Sequence, residues 1–255
     1  MKKVFLLTPW LVAAWMVIGA QAQGTVDQLK SRADSLYTSY HEQEALEVYK
    51  KVLERAPEDY TALWRTSFLM SRIGNRQEEK DAKKSYFNRA KAYAQKALEV
   101  DSTDAESNFA MAVAMGRMAL ISGARDRVAA SRDIKKYAER ALKYDPDHAG
   151  ALHVLGRWHL KVANLNFAER MAANVLFGGV PKGASEEKAV EYLERAVSLK
   201  PNFILYRYDL ARAYDETGQE QKALSTLNKA LTLEPRTPDD PGILKECLEL
   251  MDDLS

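Results

Sequence analysis

Two stretches near the C-terminus superpose residue by residue: Ala189, Leu193, Ala196 and Pro201 recur as Ala223, Leu227, Ala230 and Pro235, each 34 positions later. A chain that repeats at this interval is built from stacked units, each too small to bury its own apolar face. Within a unit the spacing is helical, since Ala189, Leu193 and Ala196 follow one another at four and three residues and share a face. The small residues let two antiparallel backbones approach, and enlarging one overpacks the seam by roughly 1–3 kcal/mol. Pro201 and Pro235 then stop the helix, because proline has no N–H to donate and disfavours a helical residue before it.

A helix–turn–helix unit of this period is the tetratricopeptide repeat. The pattern runs back through the chain in degraded form. Ala45, Tyr49, Val52 and Pro57 fit it, as do Ala90, Ala94 and Ala97 with Ser102 in the proline slot, and Ile134, Ala138, Ala141 and Pro146. Five units follow, ending 45, 44, 55 and 34 residues apart, so three of them carry insertions. In the second and third the extra is about eleven residues, or roughly three helical turns. This predicts long helices over Glu78–Val100 and Arg125–Tyr144.

The expected fold is all-α: a tetratricopeptide-repeat-like helical solenoid of about five helix pairs, with insertions and a C-terminal capping helix, over residues 23–255. Composition agrees, at 46% hydrophobic and 29% charged residues with strand signals nearly absent. Asp240 reads as an N-cap and Pro241 as a first-turn proline. The helix they open carries Ile243, Leu244, Cys247, Leu248, Met251 and Leu254 on one face, as a cap over the last repeat requires.

Residues 1–22 stand apart. Lys2 and Lys3 precede an apolar run from Val4 to Ala20, and Ala20-Gln21-Ala22 is a small-x-small site, the composition of a secretory signal peptide. Cleavage after Ala22 places the mature chain outside the cytoplasm, in the periplasm. The alternative is an uncleaved membrane anchor, although 17 residues barely cross a bilayer core. No cysteine follows the run, which excludes a lipoprotein anchor. With 37 basic and 36 acidic residues the chain is near neutral, so neither bulk nucleic-acid binding nor a polybasic membrane contact is indicated.

No catalytic, metal or cofactor constellation emerges. His41, His148, His153 and His159 lack His-Glu-x-x-His spacing, there is no Gly-x-Ser-x-Gly elbow, and the single cysteine, Cys247, reads as a buried small hydrophobe. The loop from Gly178 to Ser185 is not a phosphate-binding P-loop, since Lys182 precedes Gly183. It reads as a helix C-cap at Gly178 or Gly179 and an N-cap at Ser185, with a backbone nest beside Lys182 as the alternative.

The run Leu152-His153-Val154-Leu155-Gly156-Arg157-Trp158-His159, with Ala168-Glu169-Arg170 and Asn174-Val175-Leu176-Phe177-Gly178-Gly179-Val180-Pro181, resembles the regulator of microtubule dynamics family. The likeness continues to Arg236-Thr237-Pro238-Asp239-Asp240 and covers residues 130–250; before that, only the helical layout matches. The resemblance implies a tetratricopeptide-like domain with a helical insertion in its fourth unit. In animal members it implies association with microtubules and mitochondria, and in one of them lipid binding at membrane contacts. Export would separate this chain from any cytoplasmic microtubule, so the fold and the groove are what carry over.

In such a unit, first-helix positions 2, 5, 9, 12 and 13 face the concave side. Units starting at 60, 104, 149 and 204 put Trp64, Phe68, Arg72, Asn108, His153, Arg157, Lys161, Tyr208, Arg212 and Asp215 there. Arg157, Lys161 and Arg212 make one end locally basic, suited to a carboxylate or phosphate. Trp158 and Leu155 read as seam core, and Glu169 is a competing partner for Arg157. The expected ligand is a protein or peptide partner held by a non-enzymatic adaptor. An anionic lipid in the same groove is the alternative.

Overall fold

Helix starts in this chain are fixed by short polar side chains. Asp59, Asp104 and Ser185 accept from the backbone N–H groups of Ala62, Glu106 and Lys188, and His148 Nδ1 accepts from that of Ala151. Each satisfies a donor that the first helical turn leaves without a partner. At the opposite ends Pro57, Pro146 and Pro201 stand directly after the capping residues Ala56, Asp145 and Lys200.

A computed structural model describes residues 25–176 and 179–254. The expected leader over 1–22 and Gly178 of the loop lie outside the described residues. Five antiparallel pairs follow in order: α1 (25–38) with α2 (Glu42–Arg55), α3 (Tyr60–Asn75) with α4 (Lys80–Val100), and α5 (Ala105–Ile121) with α6 (Ala124–Tyr144). The fourth pair is α7 (Ala149–Ala163) with α9 (Glu186–Leu199), interrupted by the inserted α8 (Phe167–Leu176). The fifth is α10 (Ile204–Glu216) with α11 (Glu220–Leu231), and α12 (Asp240–Asp253) closes the chain.

The two expected long helices are present, each of 21 residues against 14 for α2 and α9. Their buried faces are mostly alanine: Ala90, Ala94 and Ala97 with Phe87 on α4, and Ala130, Ala138 and Ala141 on α6. Methyl-sized contacts draw each outer helix close to its inner partner. The seam between α7 and α9 leaves no room even for a methyl at one position. A Cβ on Gly156 would stand 2.5 Å from Leu193 Cγ and 3.2 Å from the Ala189 carbonyl oxygen.

Helices α3, α5, α7 and α10 neighbour one another along the inner side. The inserted α8 packs instead on α6, an outer helix, and the Arg132 guanidinium holds the following loop through the Gly179 carbonyl. Ser185 caps α9 as expected, and Gly179 adopts the left-handed backbone, with φ +91°, expected after a helix.

Helix α12 packs on α10 and α11 and buries Ile243 and Cys247, as a cap should. Two details differ from expectation. Leu248 is half exposed, so the apolar face is narrower than its spacing suggests. Asp240 is the first helical residue and Asp239 the cap position; the Asp240 carboxylate accepts from the N–H groups of Arg236 and Thr237 and from the Thr237 hydroxyl, bracing the turn that enters the helix.

Candidate functional site

The solenoid closes on itself through four charges. Arg72 on α3 and Arg76, the residue that caps its end one turn later, face Glu42 at the start of α2 and Asp239 at the start of α12. Arg72 Nη2 donates to Asp239 Oδ2 at 2.8 Å, Arg76 Nη1 to Asp239 Oδ1 at 2.9 Å, and Arg76 Nη2 to Glu42 Oε2 at 2.6 Å. Arg72 Nε lies 2.6 Å from Glu42 Oε1. Its N–H is not aimed at that oxygen, so this fourth contact is one of charge. Glu42 and Arg72 are buried and Asp239 half-buried, so the clamp acts in an environment of reduced screening. Nearby, Tyr40 and Arg236 share the wall of a smaller cavity of about 210 Å³.

Behind the clamp lies a recess of about 390 Å³. Its wall carries Arg76 from the end of α3, Arg117 from α5, Arg157 from α7 and Arg212 from α10, with Asp209, Asp239 and Glu246 among them. Leu205, Pro238 and Ile243 supply an apolar side. Asp209 is buried; its Oδ2 lies 2.6 Å from His153 Nε2 and 3.5 Å from Arg157 Nη1. Burial holds the imidazole neutral, lowering its pKa, so Nε2–H donates to the carboxylate. Burial alone would raise the Asp209 pKa, but Arg157, the His153 hydrogen bond and Arg212 bring it down to about 2. Burial, followed by the nearby Glu246 carboxylate, pushes the Tyr208 hydroxyl up to about 12.

The family profile described as "Regulator of microtubule dynamics protein 1-3" matches residues 29–255. The chain belongs to this family. Regulator of microtubule dynamics protein 1 of Bos taurus is 27% identical over 230 residues, which cover 89% of this chain and 71% of the bovine protein. Protein 3 of Rattus norvegicus is 28% identical over 230 residues, 88% of this chain and 48% of the rat protein, so the chain spans about half of that relative. A thermophilic tetratricopeptide-repeat protein from Thermus thermophilus superposes with a TM-score of 0.64 over 88% of this chain and 99% of its own, at 17% identity. That likeness establishes the tetratricopeptide-like fold.

The regulator of microtubule dynamics match reaches further towards the N-terminus than residues 130–250, where individual motifs are visible. Of the residues expected in the groove, Arg157, Tyr208 and Arg212 line the recess. Arg72 belongs to the clamp at its edge, and His153 stands behind the wall, bonded to Asp209 and stacked on Tyr206 with ring centroids 4.4 Å apart. Three expectations need correction. Trp64 is buried in the seam with α1, packed edge-on against Tyr37. Asn108 is fully buried, and its Nδ2 donates to the carbonyls of Ser102 and Asp104, tying the turn into α5. Glu169 accepts from the Asn166 N–H near the start of α8, while Arg157 turns to Asp209. Phe68 packs on Phe109, and Lys161 is exposed; neither lines the recess. Leu155 and Trp158 are buried as seam residues.

Arg76, Arg117, Asp209, Asp239 and Glu246 were not anticipated. One of them had a recoverable signal. Counted from Ala105, where α5 begins, Arg117 is the thirteenth residue and falls on the concave register; counted from 104 it does not.

Proposed function

We propose that this protein is a non-enzymatic adaptor that holds a protein or peptide partner on the concave side of its helical solenoid, outside the cytoplasm. The observation that carries it is the recess itself. Four inner helices converge their arginines on a space of about 390 Å³, large enough for one or two side chains of a partner and too small for a docked helix. Membership of the regulator of microtubule dynamics family and the tetratricopeptide-like fold support binding as the role, and a leader over residues 1–22 supports export. Carriage of an anionic amphiphile is the second reading, favoured by the apolar wall of Leu205, Pro238 and Ile243 beside the arginines.

Site-specific photo-cross-linking tests the two against each other. A benzophenone side chain at Tyr208 is expected to capture a discrete protein in the native host, and the same probe at Glu99, exposed on an outer helix, is not. Equal capture from both positions, or adducts of only several hundred daltons at Tyr208, would reject the adaptor. Fractionation tests the setting: intact precursor found soluble in the cytoplasm would reject export.

A further inference from the structure

Building on the adaptor reading above, we infer that the recess is a carboxylate site: it takes one carboxylate with an apolar side chain beside it, as the C-terminal residue of a partner chain presents. The inference rests on how the wall's charges are paired. Arg76 is engaged by Glu42 and Asp239, Arg157 by Asp209, and Arg212 by Glu216 at 3.0 Å. Arg117 donates only to the neutral Asn75 Oδ1, at 3.0 Å, and among the described residues no carboxylate comes within 4.0 Å of its guanidinium.

With Arg76, Arg157 and Arg212 each engaged by a carboxylate, Arg117 is the guanidinium of the wall left without one among the described residues. A monoanion supplies the partner that Arg117 lacks. A phosphate dianion brings twice that charge among the three wall carboxylates, Asp209, Asp239 and Glu246. The guanidinium fork matches the plane of a carboxylate and can hold both its oxygens. Desolvation first, and then Arg157, push the Arg117 pKa down to about 10, against the opposing pull of Asp239 and Asp209. Leu205, Pro238 and Ile243 provide the apolar surface that an aliphatic side chain next to the carboxylate would cover.

Isothermal titration of the full chain tests this with four probes: an acetylated tetrapeptide ending in leucine as the free acid, the same peptide as the amide, octanoate, and inorganic phosphate. The free acid is expected to bind at least about tenfold more tightly than the amide, because only the acid supplies the charge-assisted pair. Arg117→Ala should abolish the difference between acid and amide. Arg117→Lys keeps the charge without the fork, so it should recover part of the affinity and serve if the alanine variant does not fold. Thermal unfolding of each variant separates lost binding from lost structure. Acid and amide titrating alike, an unchanged Arg117→Ala, phosphate binding as tightly as the peptide acid, or no binding of any probe at millimolar concentration would each overturn the carboxylate site. Octanoate binding with both peptide forms silent keeps the site but rejects the partner chain as its source, and with it the adaptor. Cross-linking at Tyr208 to a protein, with no carboxylate preference, leaves the adaptor standing and removes this inference alone.

Discussion

Asp209 is the residue through which the recess and its support meet. It is buried, accepts the Nε2–H of His153 and faces Arg157. A group whose folded pKa is depressed contributes stability that is present above its unfolded pKa and lost as pH falls through the folded value. His153, lowered by burial, therefore begins to cost stability as pH drops below about 6.5. Asp209, lowered to about 2 with Arg157 the leading cause against burial, adds a second loss between about pH 4 and pH 2. Urea unfolding followed across this range should show both limbs, and Asp209→Asn should remove the lower one. An Asp209→Asn acid limb superposing on the parent's would show that the carboxylate does not set it. The repeat register pointed to Arg157, Tyr208 and Arg212 because their spacing within a helix carries the information. Asp209 was invisible to it, since an acidic residue on a helix reads as solvated until His153, 56 positions earlier, is known to lie against it.

At the scale of elements, the α7–α9 seam shows how tightly the insertion-bearing unit is built. Gly156 exists there because Leu193 occupies the space a methyl would need. Gly156→Ala should lower the denaturation midpoint by the equivalent of about 1–3 kcal/mol. A midpoint equal to that of the parent would mean that α9 can slide away at no cost and that the seam is not close-packed. The helix pairs were legible in the sequence because prolines and alanines punctuate them at a fixed interval. In one unit the register failed where that punctuation failed. The second unit has Ser102 in place of proline, and the one-residue slip that followed put Asn108 on the concave face and left Arg117 off it. The beginning of α12 slipped in the same way, because Asp239 and Asp240 offer two equivalent caps and only the packed structure distinguishes them.

For the whole molecule, the clamp of Glu42, Arg72, Arg76 and Asp239 ties the α2–α3 end of the solenoid to the start of α12. Glu42 touches both arginines from a buried position, so Glu42→Ala leaves cationic groups under-paired inside the protein and should cost roughly 3–5 kcal/mol in chemical denaturation. Asp239→Ala, at the more exposed corner, should cost less but free the C-terminal end, seen as a larger radius of gyration in small-angle scattering. A radius unchanged by Asp239→Ala would show that packing of α12, rather than charge, holds the ends together. Glu42 sits on the helix packed directly against α3, but Asp239 lies 167 and 163 positions from Arg72 and Arg76 and reaches them only through the accumulated turn of every helix pair between.

Arrays of this kind ordinarily grow or shrink by whole units, since each repeat answers only to its neighbours. Here the count is locked. One helix pair added or lost between α3 and α12 would move Asp239 by at least about 10 Å relative to Arg72 and Arg76, beyond the span of any hydrogen bond. Duplication and deletion, the easiest changes for a repeat gene, would each undo the joint, so variation in this lineage is expected inside units, as in the elongated α4 and α6 and the inserted α8, and not in their number.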